Sequence, residues 1–242
     1  MTRESIAEAG TGARFEARRG LAIAAAMLLL AASPVRAQLC GGPLEENNFQ
    51  RPIDYTNPGV EQANINIVER FHFNSEVEAL IKGTTSPLPN DIAYTLRQIP
   101  NHYRALNSMA RFQLRTPRPV SATYLTADCY FQRALAFRSE DPMLYMLYGI
   151  YLQGRKDYPS ALDAYQHAES LKLDGPELVY NMGLLYTDMG NYAKARSYAQ
   201  RAYAEGYPLQ GLRHRLERAN EWDERPPASA PQPAPASTEP RR

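Results

Sequence analysis

Residues 141–208 read DPMLYMLYGIYLQGRKDYPSALDAYQHAESLKLDGPELVYNMGLLYTDMGNYAKARSYAQRAYAEGYP. Within them Tyr158 and Tyr192, Ala161 and Ala195, Ala168 and Ala202, and Gly149 and Gly183 are each 34 residues apart. The ladder continues upstream through Tyr124, Ala127 and Ala134, and Phe131 stands to Tyr165 at the same interval. Several residue types obeying one period mark a stack of structural repeats, each too small to bury its own apolar face alone.

These residues resemble the tetratricopeptide repeat, a pair of antiparallel helices. In the middle unit Tyr145, Tyr148 and Gly149 precede Ala161, Tyr165 and Ala168. The next unit reads Val179, Met182, Gly183 and Tyr186, then Ala195, Ala199 and Ala202. An earlier one reads Leu106, Met109 and Ala110, then Ala127, Phe131 and Ala134. The resemblance covers about residues 101–208. It implies an all-α solenoid of helical hairpins with an irregular N-terminal leader and a C-terminal capping helix. The small residue of the first helix is expected opposite Ala161 and its counterparts, where close approach leaves no room for a side chain.

The first unit departs from the others. Ala110 to Ala127 is five residues longer than the equivalent step elsewhere, and the insertion includes Thr116-Pro117-Arg118-Pro119, which predicts a long, stiff turn. The repeat domain is expected over 73–222. A helix capped at Asn74-Ser75 should stop at Gly83, a second should run from Asn90-Asp91 to Pro100, and residues 75–99 read as a worn opening repeat. Residues 209–221, with Leu212 and Leu216 among charges, read as the polar cap that a solenoid needs. Residues 38–72 carry Gly41-Gly42-Pro43, Pro52 and Asn57-Pro58-Gly59 and read as an extended leader, with Ile65, Ile67 and Val68 strand-like. Residues 223–242, rich in Pro and Ala, can form no core and read as a disordered tail.

The N-terminus has the parts of an export signal. Arg14, Arg18 and Arg19 precede an apolar run from Leu21 to Ala32, and Val35-Arg36-Ala37 offers small residues for cleavage after Ala37. Twelve apolar residues are too few to span a bilayer comfortably, so no stable membrane insertion is expected after cleavage. Arg18-Arg19 leaves the twin-arginine route open beside general secretion. Leu39 stands where a lipid-modified cysteine at Cys40 would want a small neighbour. The expected location is periplasmic or secreted. Removing 1–37 takes 5 of 27 basic and 3 of 26 acidic residues and leaves 22 against 23. That balance gives no general attraction for phosphate, so nucleic acid is not expected as a partner. Both cysteines, Cys40 and Cys129, lie in the exported part, and a disulfide between them is expected there.

None of His72, His102, His167 and His214 has a His or Cys at metal-ligand spacing, and no nucleophile-elbow or phosphate-loop glycine pattern occurs. No cofactor, metal site or catalytic residue is expected. His102, after Pro100-Asn101 at a repeat junction, reads as a cap. The resemblance implies that the first helix of each unit lines a concave groove offering Arg104, Asn107, Arg111 and Arg115, then Met146 and Ile150, then Tyr180, Asn181, Leu184 and Asp188. A basic end, an apolar floor and a more acidic end suit a protein or peptide partner of the cell envelope. The expected function is a non-catalytic adaptor. A fixed subunit of an envelope assembly, acting through the convex face or the leader, is the alternative, and an enzyme a remote one. A groove filled by the chain's own leader stays open.

Overall fold

Small residues recurring every 34 positions require each unit to fold back on itself and stack on the next, and the computed structural model has that form. It describes residues 40, 44, 51–116 and 123–222. The chain divides into two units, Met1–Ser33 and Pro34–Arg242. The first, with the expected signal segment, and the tail from 223 lie outside the described residues. Among those described there are ten helices and no strand: α1 Pro58–His72, α2 Ser75–Glu78, α3 Leu88–Gln98, α4 Tyr103–Arg115, α5 Ala127–Phe137, α6 Pro142–Gly154, α7 Tyr158–Ser170, α8 Pro176–Asp188, α9 Tyr192–Ala204 and α10 Gly211–Arg218.

Three hairpins carry the ladder: α4–α5, α6–α7 and α8–α9. Ala127, Ala134, Ala161, Ala168, Ala195 and Ala202 are all buried. Asp157 and Asn191, 34 apart, cap α7 and α9 by accepting from Ser160 N and Lys194 N. The turns repeat as well. Lys156 and Gly190, one period apart, both have positive φ, as do Lys172 and Gly206. The second register is also visible in Leu144, Leu178 and Leu212, again 34 apart and buried. Leu212 belongs to α10, so the cap takes the first-helix position of a further unit. Trp222 closes this end, edge-on to Tyr203 and beneath the Arg213 guanidinium.

The expected approach of the first-helix glycine to the alanine opposite is seen in the last unit, where a Gly183 Cβ would lie 3.5 Å from Ala195 O, while at Gly149 the nearest neighbour is an aromatic ring. A Cβ on Gly149 would lie 2.5 Å from Cε1 of Tyr165, so the glycine makes room for an aromatic ring. One unit later that ring position is Ala199. Leu212 of α10 fills the space instead, with its Cδ2 2.4 Å from where a Gly183 Cβ would stand. Last-unit packing therefore depends on the cap.

The stretched first hairpin is present. Eleven residues, 116–126, separate α4 from α5, against three in each later hairpin. Pro117 and Pro119 lie outside the described residues. Helix α5 starts three residues later than the ladder would place it, capped by Thr126 accepting from Cys129 N. Gln113 of α4 reaches across, its Oε1 accepting from Ala127 N at 2.6 Å and its Nε2 donating to Leu125 O. α4 and α5 consequently meet less extensively than the helices of the other two hairpins.

The extended reading of 38–72 is corrected over 58–72, and the strand-like assignment of Ile65, Ile67 and Val68 with it. Pro58 is the first residue of α1, where a missing N–H costs nothing. Ile65 and Val68 are buried together with Ile53 and Ile99, while Ile67 is exposed. Glu61 completes the inward face and pairs there with Arg51, and this buried acid hides the helical period in the sequence. The helix capped by Asn74 starts as expected but ends at Glu78, before Leu80 at φ 60°. Helix α3 begins at Leu88 rather than at Asn90-Asp91. The opening hairpin is thus α1 with α3, and α2 lies between them.

Candidate functional site

The first-helix side is formed by α4, α6 and α8, and the residues expected to line it have unequal fates. Arg104 is taken. Its Nε donates to Glu78 Oε1 at 2.8 Å, a second nitrogen pairs with Glu78 Oε2, and Nη1 reaches Glu69 Oε1 at 3.3 Å. Both acids come from α1 and α2, so the chain's own N-terminal helices cover this end. Ser108 Oγ and Arg111 Nη1 also donate to the Glu78 carbonyl. Met146 is buried, as is Tyr180, whose hydroxyl accepts from Leu212 N at 3.1 Å while its ring lies against Tyr207. These two are core and cap-holding residues, not open groove.

Asp188 is neutralised internally. It accepts from Gln153 Nε2 at 2.6 Å and pairs with Arg215 of α10. Gln153 accepts in turn from the Tyr165 hydroxyl at 2.9 Å, so a polar chain runs from the middle unit's core to the cap. Burial, with Asp188 nearby, pushes the Tyr165 hydroxyl well above its ordinary titration range, so it remains a donor. Asp188 at the acidic end and Arg104 at the basic end of the expected gradient are therefore neutralised within the chain.

What remains open is narrower. Arg115 is exposed, Asn107, Arg111, Ile150, Asn181 and Leu184 are half-buried, and Leu147 joins them. Among the described residues neither Arg111 nor Arg115 pairs with a carboxylate. On the opposite side, between α5, α6 and α7, lies a hollow of about 540 Å³ that sequence reasoning missed. Leu135, Tyr145, Tyr148, Asp163 and His167 are among its lining. Its lining is drawn mainly from three helices, a combination that no residue pattern records.

The histidines serve the fold. His102 Nδ1 accepts from Ala105 N at 3.1 Å, capping α4, and its Nε2–H donates to Glu69 at 3.0 Å. Only the neutral ring can do both. Burial lowers its pKa, against the opposing pull of Glu69, and the His102 hydrogen bond in turn lowers that of Glu69. Both folded-state values are depressed, so both groups stabilise the fold at neutral pH and lose that contribution as pH falls. For His102 the loss begins near the ordinary value of 6.5 and continues downward. The melting temperature should be level above about pH 7 and decline below it. In His102→Gln the upper part of that decline should disappear; an unchanged profile would show that the ring does not titrate on unfolding.

His72 bonds Asp91 at 3.0 Å and stacks on Tyr94, and His167 lies against Tyr145. Among the described residues no group of three or more His, Cys, Asp or Glu could hold a metal ion, and no helix is long and apolar enough to cross a membrane. Cys40 and Cys129 are buried, and the structure carries both as thiols. Cys40 Sγ donates to Gln132 Oε1 at 3.2 Å, and Arg133 Nη1 donates to the Cys40 carbonyl at 3.3 Å.

This architecture defines an all-α array of helical hairpins of the tetratricopeptide type, with a helical cap. No protein-family model and no curated protein matches the chain. It is similar to a solved structure from the functional characterization of Pseudomonas aeruginosa pilF, at 19% identity over 69% of this chain and 72% of that one, with a TM-score of 0.46.

Proposed function

We propose that this protein is a non-catalytic, exported adaptor that binds a protein or peptide partner of the cell envelope on the open part of its first-helix face. The observation that carries this reading is the contrast within that face. Arg104 and Asp188 are matched by the chain's own Glu69, Glu78 and Arg215, whereas Arg111 and Arg115 form no ion pair among the described residues, and Leu147, Ile150 and Leu184 on the following first helices are half-buried. A first-helix series that carries unpaired cations and half-buried apolar side chains suits an acidic, amphipathic segment. The absorption of His72, His102 and His167 into packing and capping supports the non-catalytic part. Export is supported by the sequence of residues 1–37.

One observation favours a second reading, assembly through the leader. Val60, Ile67 and Phe71 are 70%, 50% and 47% exposed and fall on one side of α1. A single experiment separates the two. Partner recovery from an envelope extract should fall about tenfold or more with Arg111→Glu combined with Arg115→Glu, as for loss of a pair of charged contacts, and survive Ile67→Asp. Survival of both changes would sink the groove reading. Loss with Ile67→Asp alone would transfer the function to α1.

A further inference from the structure

We infer that Cys40 and Cys129 are joined by a disulfide in the mature protein, and that this bond fastens the N-terminal segment to the second helix of the first hairpin. The two residues are 89 apart in sequence, and the fold brings the first onto the helix that carries the second. Cys129 lies one helical turn before Gln132 and Arg133, so the three share a face of α5. Cys40 sits on that face through two separate contacts, its Sγ to Gln132 Oε1 at 3.2 Å and its carbonyl to Arg133 Nη1 at 3.3 Å. Both cysteines are buried, at 6% and 7% exposure. A pair held on one helix face and shielded from solvent suits a stable structural cross-link, because a strained or exposed disulfide is the labile kind.

The place of the cross-link has a physical reason. α4 and α5 form the loosest of the three hairpins, because the long turn separates them and α5 starts late. Residues 51–57, the described stretch that leads into α1, form no helix or strand. Asp54 holds it at one point, accepting from Asn101 Nδ2 at 2.7 Å and pairing with Arg138 just beyond α5. A bond at Cys40 adds an anchor on α5 itself and closes a loop of about 90 residues, and in the chain-entropy model the stabilisation grows with loop length. It lies on α5, away from Arg111, Arg115 and Leu184, so it bears on the integrity of the first hairpin and not on the open face.

The chemistry needs an oxidant, and a small-molecule or protein disulfide supplies it by exchange. One protein thiolate attacks the oxidant's S–S bond and expels one of its thiols, leaving a mixed disulfide. The second protein thiolate then displaces the other. Two protein S–H bonds are lost, one S–S bond forms, and the oxidant leaves as two thiols carrying both protons.

The test uses the chain from residue 38 onward as it is exported, oxidised in the folded state with oxidised glutathione. Non-reducing peptide mapping should find the Cys40 and Cys129 peptides linked within one molecule, and a maleimide added in denaturant should label neither. Reduction should lower the melting temperature by about 10 °C. Cys129→Ser should melt at that lower temperature with or without reductant. Labelling of both cysteines in the oxidised protein, or linkage only between molecules, would overturn the inference. If Cys129→Ser does not fold, mapping of the wild-type chain decides alone. Partner recovery is a separate readout, so failure here leaves the adaptor reading standing.

Discussion

Replacing Tyr165 by Ala is expected to destabilise the protein by about 4 kcal/mol, the cost typical of removing a fully buried aromatic side chain. The ring is wholly buried in the larger core cluster and lies directly over the backbone of Gly149. Its hydroxyl donates to Gln153, which donates to Asp188, which pairs with Arg215, so truncation also removes the first link of the chain that ties the middle hairpin to the cap. Urea unfolding measures the loss, and a decrease below about 1 kcal/mol would show that the core does not depend on this ring. Tyr165→Phe separates the contributions, since it keeps the ring and should cost only about 1 kcal/mol for the hydrogen bond. A companion change tests the contact itself. Gly149→Ala should destabilise by roughly 1–3 kcal/mol although alanine is the better helix former, because its Cβ would press on a ring with no room to retreat. Combined with Tyr165→Ala, the same change should become neutral or favourable, which is the signature of direct coupling.

The second large effect is expected at Asp91. Asp91→Ala should cost about 3 kcal/mol and loosen residues 84–86. The carboxylate is completely buried and accepts from the backbone N–H groups of Thr84, Thr85 and Ser86, from both hydroxyls of Thr85 and Ser86, and from His72. Burial alone would raise its pKa. The hydrogen bonds from Thr85, His72 and the backbone outweigh that and hold it well below the ordinary carboxylate range. Folded-state depression means that this stabilisation is present at neutral pH and persists further into acid than that of an ordinary aspartate. Asp91→Asn is the informative control, because it keeps the shape but turns one acceptor into a donor facing donors. It should be destabilising by about 2 kcal/mol. Amide exchange at Thr84 and Thr85 reports the loop directly, and protection unchanged in Asp91→Ala would refute the assignment.

These two sites differ in how far the sequence exposes them. Tyr165 stands on the 34-residue ladder with Ala161 and Ala168, so its burial follows from position alone. Asp91 looks in sequence like an ordinary acid at a helix start, and only the return of residues 84–86 over it makes it a centre of hydrogen bonding. The same contrast runs through the candidate site. Arg104, Met146, Tyr180 and Asp188 occupy the first-helix positions that the repeat pattern predicts for a binding face. What they touch is set by Glu69 and Glu78 at 35 and 26 residues' remove from Arg104, by Leu212 at 32 from Tyr180, and by Arg215 at 27 from Asp188. All four of these partners belong to elements outside the clear repeats.

The sequence by itself determined the repeating hairpins, because each unit's packing is local. A small residue, an aromatic and the alanines meet within 34 positions, and the stack copies that contact, so the period is written directly in the chain. It also determined the long first turn, the cap and the role of His102, all of which follow from local insertion or junction chemistry. The tertiary structure alone decided that residues 58–72 are helical, since the inward side of α1 is completed by Glu61, a buried acid that pairs with Arg51 and accepts from Asn64. It decided too that α1, α2 and α10 close both ends of the predicted groove. Charge neutralisation between segments that share no period leaves no mark in either sequence, and that pairing leaves Arg111, Arg115, Ile150 and Leu184 as the part of the proposed binding face not matched within the chain.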